Sequence, residues 1–302
     1  MSAVIQVKNL TKNFKDVKAV NDLSFSVEEG QVYGFLGQNG AGKSTTIRML
    51  ITLISPTAGQ IEIFGLNLFK HRREILKQIG AIVEKPDLYK YLNAKENISI
   101  FSRLSGLKVS EKKMNAQLAM VGLADRMNSK IRTYSQGMKQ RLGLACALVH
   151  DPRLLILDEP TNGLDPQGIA DMRNMIIHLS KDLGKTLLVS SHLLSEMEMV
   201  ADSMLIINKG RKVVEGKVTE LLNPAQPIVE LIAANKEAAL HFIQNSDWKN
   251  TLKSYASGAI RMEFEKKKIP ELIRQLVQHN IDVESIRPVH SLEDYFLSQT
   301  KE

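Results

Sequence analysis

Residues 37–45 constrain the fold of this chain more than any other stretch. Their sequence, GQNGAGKST, fits the pattern G-x-x-x-x-G-K-[ST] of a phosphate-binding loop, the P-loop. Backbone N–H groups can surround a triphosphate only where no side chain blocks its approach, so glycines stand at the close contacts. An apolar run precedes the loop, and apolar residues at helical spacing follow it. The sequence therefore predicts an α/β domain that binds a nucleoside triphosphate between a strand and a helix.

The residues of this loop are predicted to share the work of binding. Lys43 brings a mobile positive charge to the β- and γ-phosphates, and Ser44 offers a hydroxyl to Mg²⁺. The helix that begins near Lys43 directs the positive end of its dipole at the same anion. The predicted nucleotide-binding residues are Gly37, Gln38, Asn39, Gly40, Ala41, Gly42, Lys43, Ser44 and Thr45.

A second apolar strand ends in paired acids. Residues 154–157 are all apolar, and Asp158 and Glu159 follow them directly. An apolar strand with acids at its carboxyl end is typical of the second half of a P-loop site. We expect Asp158 in the Mg²⁺ shell and Glu159 as the residue that orients and deprotonates the attacking water. His192 follows a further apolar strand, and from that position it can reach a γ-phosphate.

Composition excludes some classes of protein and leaves others open. The chain has 302 residues, 43% hydrophobic and 24% charged, which is typical of an ordinary globular protein of one or two domains. No apolar run approaches about 18 residues and no secretory signal opens the sequence, so we expect no membrane span. The single cysteine, Cys146, suits a reducing cytosol and a place in the core. The net charge of +7 fits nucleic acid, an anionic membrane surface, or a nucleotide binder with solvated lysines, and it does not decide among them.

The hydrophobic pattern divides the chain into two domains. Residues 1–222 mix strands and helices, with a mainly helical insertion at about 86–150. Residues 223–227 break regular structure, and we place the domain boundary there. Residues 228–302 follow the order strand, helix, strand, strand, helix, strand, which matches a split βαβ, ferredoxin-like unit. A last helix is predicted over 292–298.

Taken together, these motifs resemble the ATP-binding subunits of ABC transporters. The family's motifs appear in its order, namely the P-loop, the signature at 134–138, Walker B at 154–159, the D-loop at 162–165 and the switch histidine His192. The resemblance covers roughly residues 3–222. It implies a P-loop NTPase of ABC type, with a mixed sheet and a helical signature subdomain, followed by a small C-terminal α+β ferredoxin-like domain.

The resemblance also implies roles that the residues alone leave open. From the residue alone, we favour a place for Phe14 in the hydrophobic core over stacking on a purine. The resemblance instead implies that Phe14 stacks on adenine, because it falls at the position where the family carries its adenine-stacking residue. Two copies would close head to tail over two ATP molecules, so that the signature of one copy completes the γ-phosphate site of the other. The implied trans signature residues are Ser135, Gln136 and Gly137, and Asp165 of the D-loop would communicate across the dimer.

Glu84 and Gln136 depart from the common pattern of the family. Gln136 replaces a glycine of the signature, so either its side chain points away from the phosphate or the trans site is weakened. Glu84 replaces a glutamine near Mg²⁺ and the attacking water. A carboxylate can still bind Mg²⁺, but it adds negative charge beside a triphosphate. The predicted metal ligands are therefore Ser44, Asp158 and Glu84, and the predicted catalytic residues are Glu159, His192 and Glu84.

Within the family, the chain resembles exporter subunits of the bacitracin and lantibiotic-resistance type, which are paired with ABC-2 type permeases. The sequence of residues 134–141 and the presence of Glu84 suggest this branch. It implies ATP and Mg²⁺ as ligands, a homodimer of nucleotide-binding domains, no nucleic acid, and a cytoplasmic protein held at the inner face of the membrane by its permease. Residues 85–104 would face that permease. Tyr89, Tyr91 and Leu92 are candidate exposed anchors, although Tyr89 and Leu92 could instead pack within their own subdomain.

Two other functions remain open at the level of sequence. An ATPase of the same superfamily could act on ribosomes or nucleic acid, but such factors usually carry two P-loop domains or a long coiled-coil insertion. The other possible function is a regulatory module that is controlled by nucleotide binding and does not hydrolyse ATP. The presence of both Glu159 and His192 argues against it.

Overall fold

The computed structural model describes residues 3–222, 228–256 and 259–289. The chain divides into two compact units, Met1–Lys217 and Val218–Glu302. The predicted linker at 223–227 and the predicted helix at 292–298 lie outside the described residues. Among the described residues, no helix is both long enough and apolar enough to cross a membrane.

The first unit contains ten strands and seven α-helices within the described residues. Its strands are β1 (Ala3–Phe14), β2 (Val17–Glu28), β3 (Val32–Leu36), β4 (Ala58–Ile63), β5 (Leu66–Asn67), β6 (Ile79–Ile82), β7 (Leu154–Asp158), β8 (Thr186–Ser191), β9 (Ser203–Asn208) and β10 (Arg211–Lys217). Its helices are α1 (Lys43–Leu50), α2 (Arg72–Leu76), α3 (Ala94–Leu104), α4 (Glu111–Met120), α5 (Gln136–Leu148), α6 (Pro166–Lys181) and α7 (Leu194–Val200).

Two sheets form the body of this unit. The larger is mixed, with strand order β10-β9-β3-β8-β7-β6, and all of its neighbouring strands are parallel except β10 and β9. The smaller is antiparallel, with order β2-β1-β4-β5. Every residue of β3, β7 and β8 is buried, which explains why these strands read as continuous apolar runs rather than alternating ones.

Helices α3, α4 and α5 form the predicted helical insertion with a small core of its own. Asn93 caps α3 in a capping box with Glu96, and Ser110 and Ser135 cap α4 and α5. Their apolar faces meet around Ile98, Leu118 and other buried side chains. The prediction of a helical segment inserted into an α/β chain is therefore confirmed.

The second unit contains α8 (Val218–Leu222), β11 (Ile228–Ala233), α9 (Lys236–Gln244), β12 (Leu252–Ala256), β13 (Ala259–Glu263), α10 (Ile269–Gln278) and β14 (Val283–Val289). Its antiparallel sheet has the order β12-β13-β11-β14. Alternate residues of β11 and β13 face the two helices, and Trp248 packs edge-on against Phe264 in the same core, with ring centroids 5.0 Å apart. This order of elements and strands confirms the predicted ferredoxin-like α+β fold.

Candidate active site

Neighbouring strands of the mixed sheet bring the sequence-predicted motifs to one edge. β8 lies between β3 and β7 and runs parallel to both, so the carboxyl ends of all three meet. The P-loop follows β3, Asp158 ends β7, and His192 follows β8. Because loops at the carboxyl edge of a parallel sheet form the usual ligand crevice of α/β proteins, this is the candidate site.

Backbone contacts hold the P-loop in place. The Gly37 N–H donates to the Ser191 carbonyl at 3.2 Å. Gly42 has φ +107, and a Cβ there would lie 2.6 Å from the Ala19 carbonyl oxygen, so no other residue fits without a shift. The loop encloses a cavity of about 170 Å³. The lining residues are Ala19, Gln38, Asn39, Gly40, Gly42, Lys43, Ser44, Thr45 and Glu159.

Lys43 is buried beneath this loop, and all three of its ammonium protons have oxygen neighbours. Its Nζ donates to the Gly37 carbonyl at 2.7 Å and to the Gln38 carbonyl at 3.3 Å. The same atom lies 3.1 Å from Oε1 of Glu159. The general base predicted from the sequence therefore touches the predicted phosphate-binding lysine directly.

The paired acids are organised by Ser190, in register with Asp158 on the adjacent strand. The Ser190 hydroxyl donates to Oδ1 of Asp158 at 2.6 Å, and it accepts the backbone N–H of Glu159 at 2.9 Å. Asp158 is only 1% exposed, and its Oδ2 has no hydrogen-bond partner among the described residues. A buried carboxylate oxygen of this kind fits a hard cation ligand, since an unsatisfied buried charge is otherwise costly.

Glu159 contacts both His192 and Lys43 through its two carboxylate oxygens. Its Oε2 lies 2.8 Å from Nδ1 of His192, while its Oε1 faces Lys43. Oε1 is buried, and its one charged neighbour among the described residues is the Lys43 ammonium, so it can take a proton from water once that ion pair opens. Glu159 also has φ +50, a left-handed conformation that is uncommon outside glycine and is often found at functional sites.

Glu84 lies apart from these residues. Its side chain is 60% exposed and makes an ion pair with Arg48 of α1, and its backbone is left-handed with φ +58. It does not line the P-loop cavity. The structure thus places Glu84 near the correct edge of the sheet but turned towards Arg48, and its predicted roles as ligand and catalyst stay predictions.

Phe14 lies on the hairpin of β1 and β2 that also supplies Ala19 to the cavity. Its ring is 46% exposed, and Nζ of Lys12 lies 4.9 Å from the ring centre. It is therefore not the core aromatic that the residue alone favours, and the exposed ring leaves room for a stacking partner.

The signature and the D-loop lie next to each other and outside the P-loop cavity of their own chain. Ser135 is exposed and accepts the Met138 N–H at 3.2 Å as the cap of α5, and Gln136 is half-buried. A Cβ on Gly137 would lie 3.8 Å from a methyl of Leu164. Asp165 is exposed and caps α6 by accepting the Gly168 N–H at 3.2 Å.

A groove of about 340 Å³ lies between β6 and the helical insertion. Among its lining residues, burial raises the pKa of the Cys146 thiol to about 12, which confirms a packed and unreactive cysteine. Desolvation by burial lowers the pKa of His150, although a hydrogen bond to the Ile79 carbonyl opposes that shift. Nearby, Tyr89 is 51% and Tyr91 is 79% exposed.

Several polar residues of the site were not singled out from the sequence. Ser190 and Ser191 stand in an otherwise apolar strand, and Glu196 is a buried acid four residues beyond His192. The hydroxyls of Ser190 and Ser191 at the end of an apolar strand were the sequence signal that could have identified these residues. Their partners lie on other segments of the chain, so the sequence does not show what they hold.

Comparison with known proteins agrees with this geometry. The family model described as ABC transporter matches residues 20–162. The chain is 41% identical to an uncharacterized ABC transporter ATP-binding protein, YhcH of Bacillus subtilis, over 100% of this chain and 97% of the relative. It is 42% identical to the bacitracin transport ATP-binding protein BcrA of Bacillus licheniformis, over 98% and 97%. A solved structure of the ATP-binding subunit of an ABC transporter matches with a TM-score of 0.64 at 32% identity, over 72% of this chain and 91% of that one. The chain therefore belongs to the ABC transporter family, as an ATP-binding and ATP-hydrolysing subunit.

Proposed function

We propose that this chain powers a separate membrane permease of ABC-2 type that exports a peptide antibiotic or another hydrophobic substrate. The observation that carries the proposal is the contact of Glu159 with both Lys43 and His192 beside the P-loop. The likeness to a bacitracin transport protein supports export of this class of compound.

Hydrolysis at this site follows from the residues that line it. Lys43 and the loop amides hold the triphosphate, and Glu159 takes a proton from the attacking water through Oε1. The water oxygen bonds to the γ-phosphorus as the bond to the β–γ bridging oxygen breaks, which yields ADP and phosphate. His192, hydrogen-bonded to the other oxygen of Glu159, keeps the base oriented and would contact the γ-phosphate.

The site fits Mg²⁺ as its metal. Ser44 and Asp158 would hold it, and Oδ2 of Asp158, which is buried and has no hydrogen-bond partner among the described residues, supports this assignment. Glu84 would join them only after exchanging its partner Arg48. When bound, the ion would neutralise charge on the phosphate oxygens and so favour attack of water at the γ-phosphorus.

A second copy of the chain completes the site in this proposal. Ser135, Gln136 and Gly137 begin a helix whose N-terminal N–H groups can meet an anion, and they do not line the cavity of their own chain. Asp165 lies in the loop beside them. Closure over ATP and reopening after hydrolysis would then move the attached permease.

The surface around Tyr89 and Tyr91 is the proposed contact with the permease. Both rings are exposed beside the groove, whereas Leu92 is half-buried. Exposed aromatic side chains at the rim of a groove are typical anchors for a partner helix.

The test is co-purification from membranes with charged substitutions at Tyr91 and Leu92. We expect Tyr91→Glu with Leu92→Glu to hydrolyse ATP but to lose the permease. Tyr255→Glu is the control, since Tyr255 is also an exposed tyrosine, at 46%, and belongs to the second unit. If the doubly substituted protein is folded and still co-purifies fully with the permease, the assignment of this surface as the permease contact is wrong. If the unaltered chain associates with no membrane protein, the transporter proposal fails.

A further inference from the structure

Glu196 is a buried carboxylate that the proposed mechanism does not use. It lies in the first turn of α7 and is 7% exposed. Among the described residues no basic side chain pairs with it. Its Oε2 instead accepts the Thr161 hydroxyl at 2.6 Å and faces the Ser191 hydroxyl at 3.4 Å. A buried carboxylate is costly without such donors, so these contacts determine how its surroundings pack.

The two donors belong to the two segments that carry the proposed reactive pair. Thr161 follows Glu159 by two residues, and Ser191 immediately precedes His192. Glu196 therefore ties these segments together on one carboxylate oxygen. The distance from the Thr161 hydroxyl is that of a short, charge-assisted hydrogen bond, which is stronger than a bond between neutral groups.

Ser191 extends this connection to the P-loop. Its hydroxyl also accepts the Leu193 N–H at 3.0 Å, and its carbonyl accepts the Gly37 N–H at 3.2 Å. The backbone of Ser191 is thus held on one side by the P-loop and its side chain on the other by α7. Glu196 does not itself line the cavity that binds nucleotide, so a change there acts first on the segment that supports His192.

We infer that Glu196 is a positioning residue for ATP hydrolysis, acting through Thr161 and Ser191 to set the geometry of Glu159 against His192. The inference rests on the proposed roles of these last two residues. Glu196 does not line the P-loop cavity, so its effect falls on the rate of the chemical step rather than on ATP affinity. Displacement of a catalytic group by about 1 Å can cost on the order of a hundredfold in rate, so even a partial shift is measurable.

The experiment compares kcat and KM for ATP·Mg²⁺ in the purified full chain. We expect Glu196→Gln, which removes the charge and keeps the shape, to lower kcat about tenfold and to leave KM within about twofold. Glu198→Gln is the matched control, because it removes the same charge two residues along α7. The Glu198 side chain makes no hydrogen bond or ion pair among the described residues, so its variant should behave like the unaltered protein.

Variants of Thr161 distinguish positioning from mere structural support. Thr161→Val should lower kcat to a similar extent, and Thr161→Ser, which keeps the hydroxyl, should restore it. The double variant Glu196→Gln with Thr161→Val should be no slower than the slower single variant, because one change weakens the contact that the other removes. Thr161→Val also tests the inference if Glu196→Gln does not fold.

Three outcomes would overturn the inference. The first is an unchanged kcat in folded Glu196→Gln. The second is a double variant in which the fold-losses in kcat of Glu196→Gln and Thr161→Val multiply. The third is a rise in KM of Glu196→Gln without a fall in kcat. Glu159→Gln, measured alongside, separates this failure from that of the proposed function. If Glu159→Gln is inactive while Glu196→Gln is normal, only the positioning role is wrong. If Glu159→Gln turns over normally, the proposed base itself is wrong.

Discussion

At the scale of single residues, Glu159 lies directly against Lys43, the residue proposed to bind the γ-phosphate. The carboxylate lies 3.1 Å from the ammonium, and both side chains are largely buried. A γ-phosphate that binds Lys43 must therefore compete with this carboxylate. Displacement of the carboxylate from Lys43 would free Oε1 to accept a proton from the attacking water. Binding of ATP would thus activate the general base.

The first prediction concerns Glu159→Gln. Turnover should fall on the order of 10²–10⁴-fold, since an amide cannot accept the proton of water. The affinity for ATP·Mg²⁺ should stay the same or rise, because the neutral amide competes less for Lys43. Equilibrium binding of a fluorescent ATP analogue and a phosphate-release assay measure the two effects. Lys43→Ala serves as the reference for lost binding, since no other ammonium is placed in the cavity. Near-normal hydrolysis by Glu159→Gln would show that another group is the base.

A second prediction concerns the ion pair of Glu84 with Arg48. Both side chains are substantially exposed, so breaking the pair should cost little stability. We expect Glu84→Gln and Arg48→Ala to change turnover up to about tenfold, and to leave ATP affinity within about threefold, or roughly 0.6 kcal/mol. The measurements are nucleotide titration and steady-state hydrolysis. If Glu84→Gln loses ATP binding as completely as Lys43→Ala, Glu84 is a primary ligand of the metal–nucleotide complex.

At the scale of elements, α3 organises the loop that presents the proposed permease contact. Asn97 of this helix is fully buried. Its Oδ1 accepts the Tyr89 N–H at 2.9 Å, and its Nδ2 donates to the carbonyls of Tyr89 at 3.2 Å and Asn93 at 2.9 Å. The exposed ring of Tyr89 is thus carried on a backbone that is held by a buried amide.

The third prediction is that Asn97→Ala destabilises this loop. The change leaves the Tyr89 backbone groups without their partner, at a cost of about 1–3 kcal/mol. Urea unfolding of the full chain measures the loss, and co-purification with the permease should weaken in parallel. Ser105→Ala at the end of the same helix is the control, since it removes an exposed hydroxyl that bonds only within the helix. A free energy of unfolding within about 0.5 kcal/mol of the unaltered chain would contradict this account of the loop.

At the scale of the whole molecule, the P-loop cavity and the signature helix present separate surfaces of one chain. Ser135 and Asp165 are exposed, and neither lines the cavity that holds Lys43. The arrangement suits a head-to-tail pair in which each copy supplies what the other lacks. Both surfaces carry groups that attract anions, so the triphosphate itself would hold the pair together.

The fourth prediction is an ATP-dependent dimer that requires Gly137. In a Glu159→Gln background, ATP should convert the monomer to a dimer, and ADP should not. Adding Gly137→Asp should prevent dimerisation, because the new charge would face the γ-phosphate. The variant should fold, since its Cβ would make only an ordinary contact with Leu164 at 3.8 Å. Light scattering during size exclusion measures the mass, and equal dimerisation with Gly137→Asp would remove the signature from the nucleotide interface.

Local sequence was sufficient to identify the parts of the fold and the site that depend on short-range constraints. A P-loop needs glycine where a Cβ would meet backbone, as at Gly42, and it needs Lys43 at a set spacing. Strands buried on both faces are mainly apolar, so the apolar runs within β3, β7 and β8 were recognisable from local sequence. Helices α6 and α7 were not assigned from the sequence, although Asp165 and Pro166 form a recognisable start for α6.

Tertiary structure decided which of these parts touch. The strand order β3-β8-β7 places Ser190 between the P-loop and the paired acids, and it lets Glu159 reach both Lys43 and His192. The pairing of Glu84 with Arg48, and that of Glu196 with Thr161, depend likewise on side-chain direction between distant segments. Local periodicity carries no information about such neighbours, because hydrogen bonds and ion pairs respond to distance in space rather than to separation along the chain.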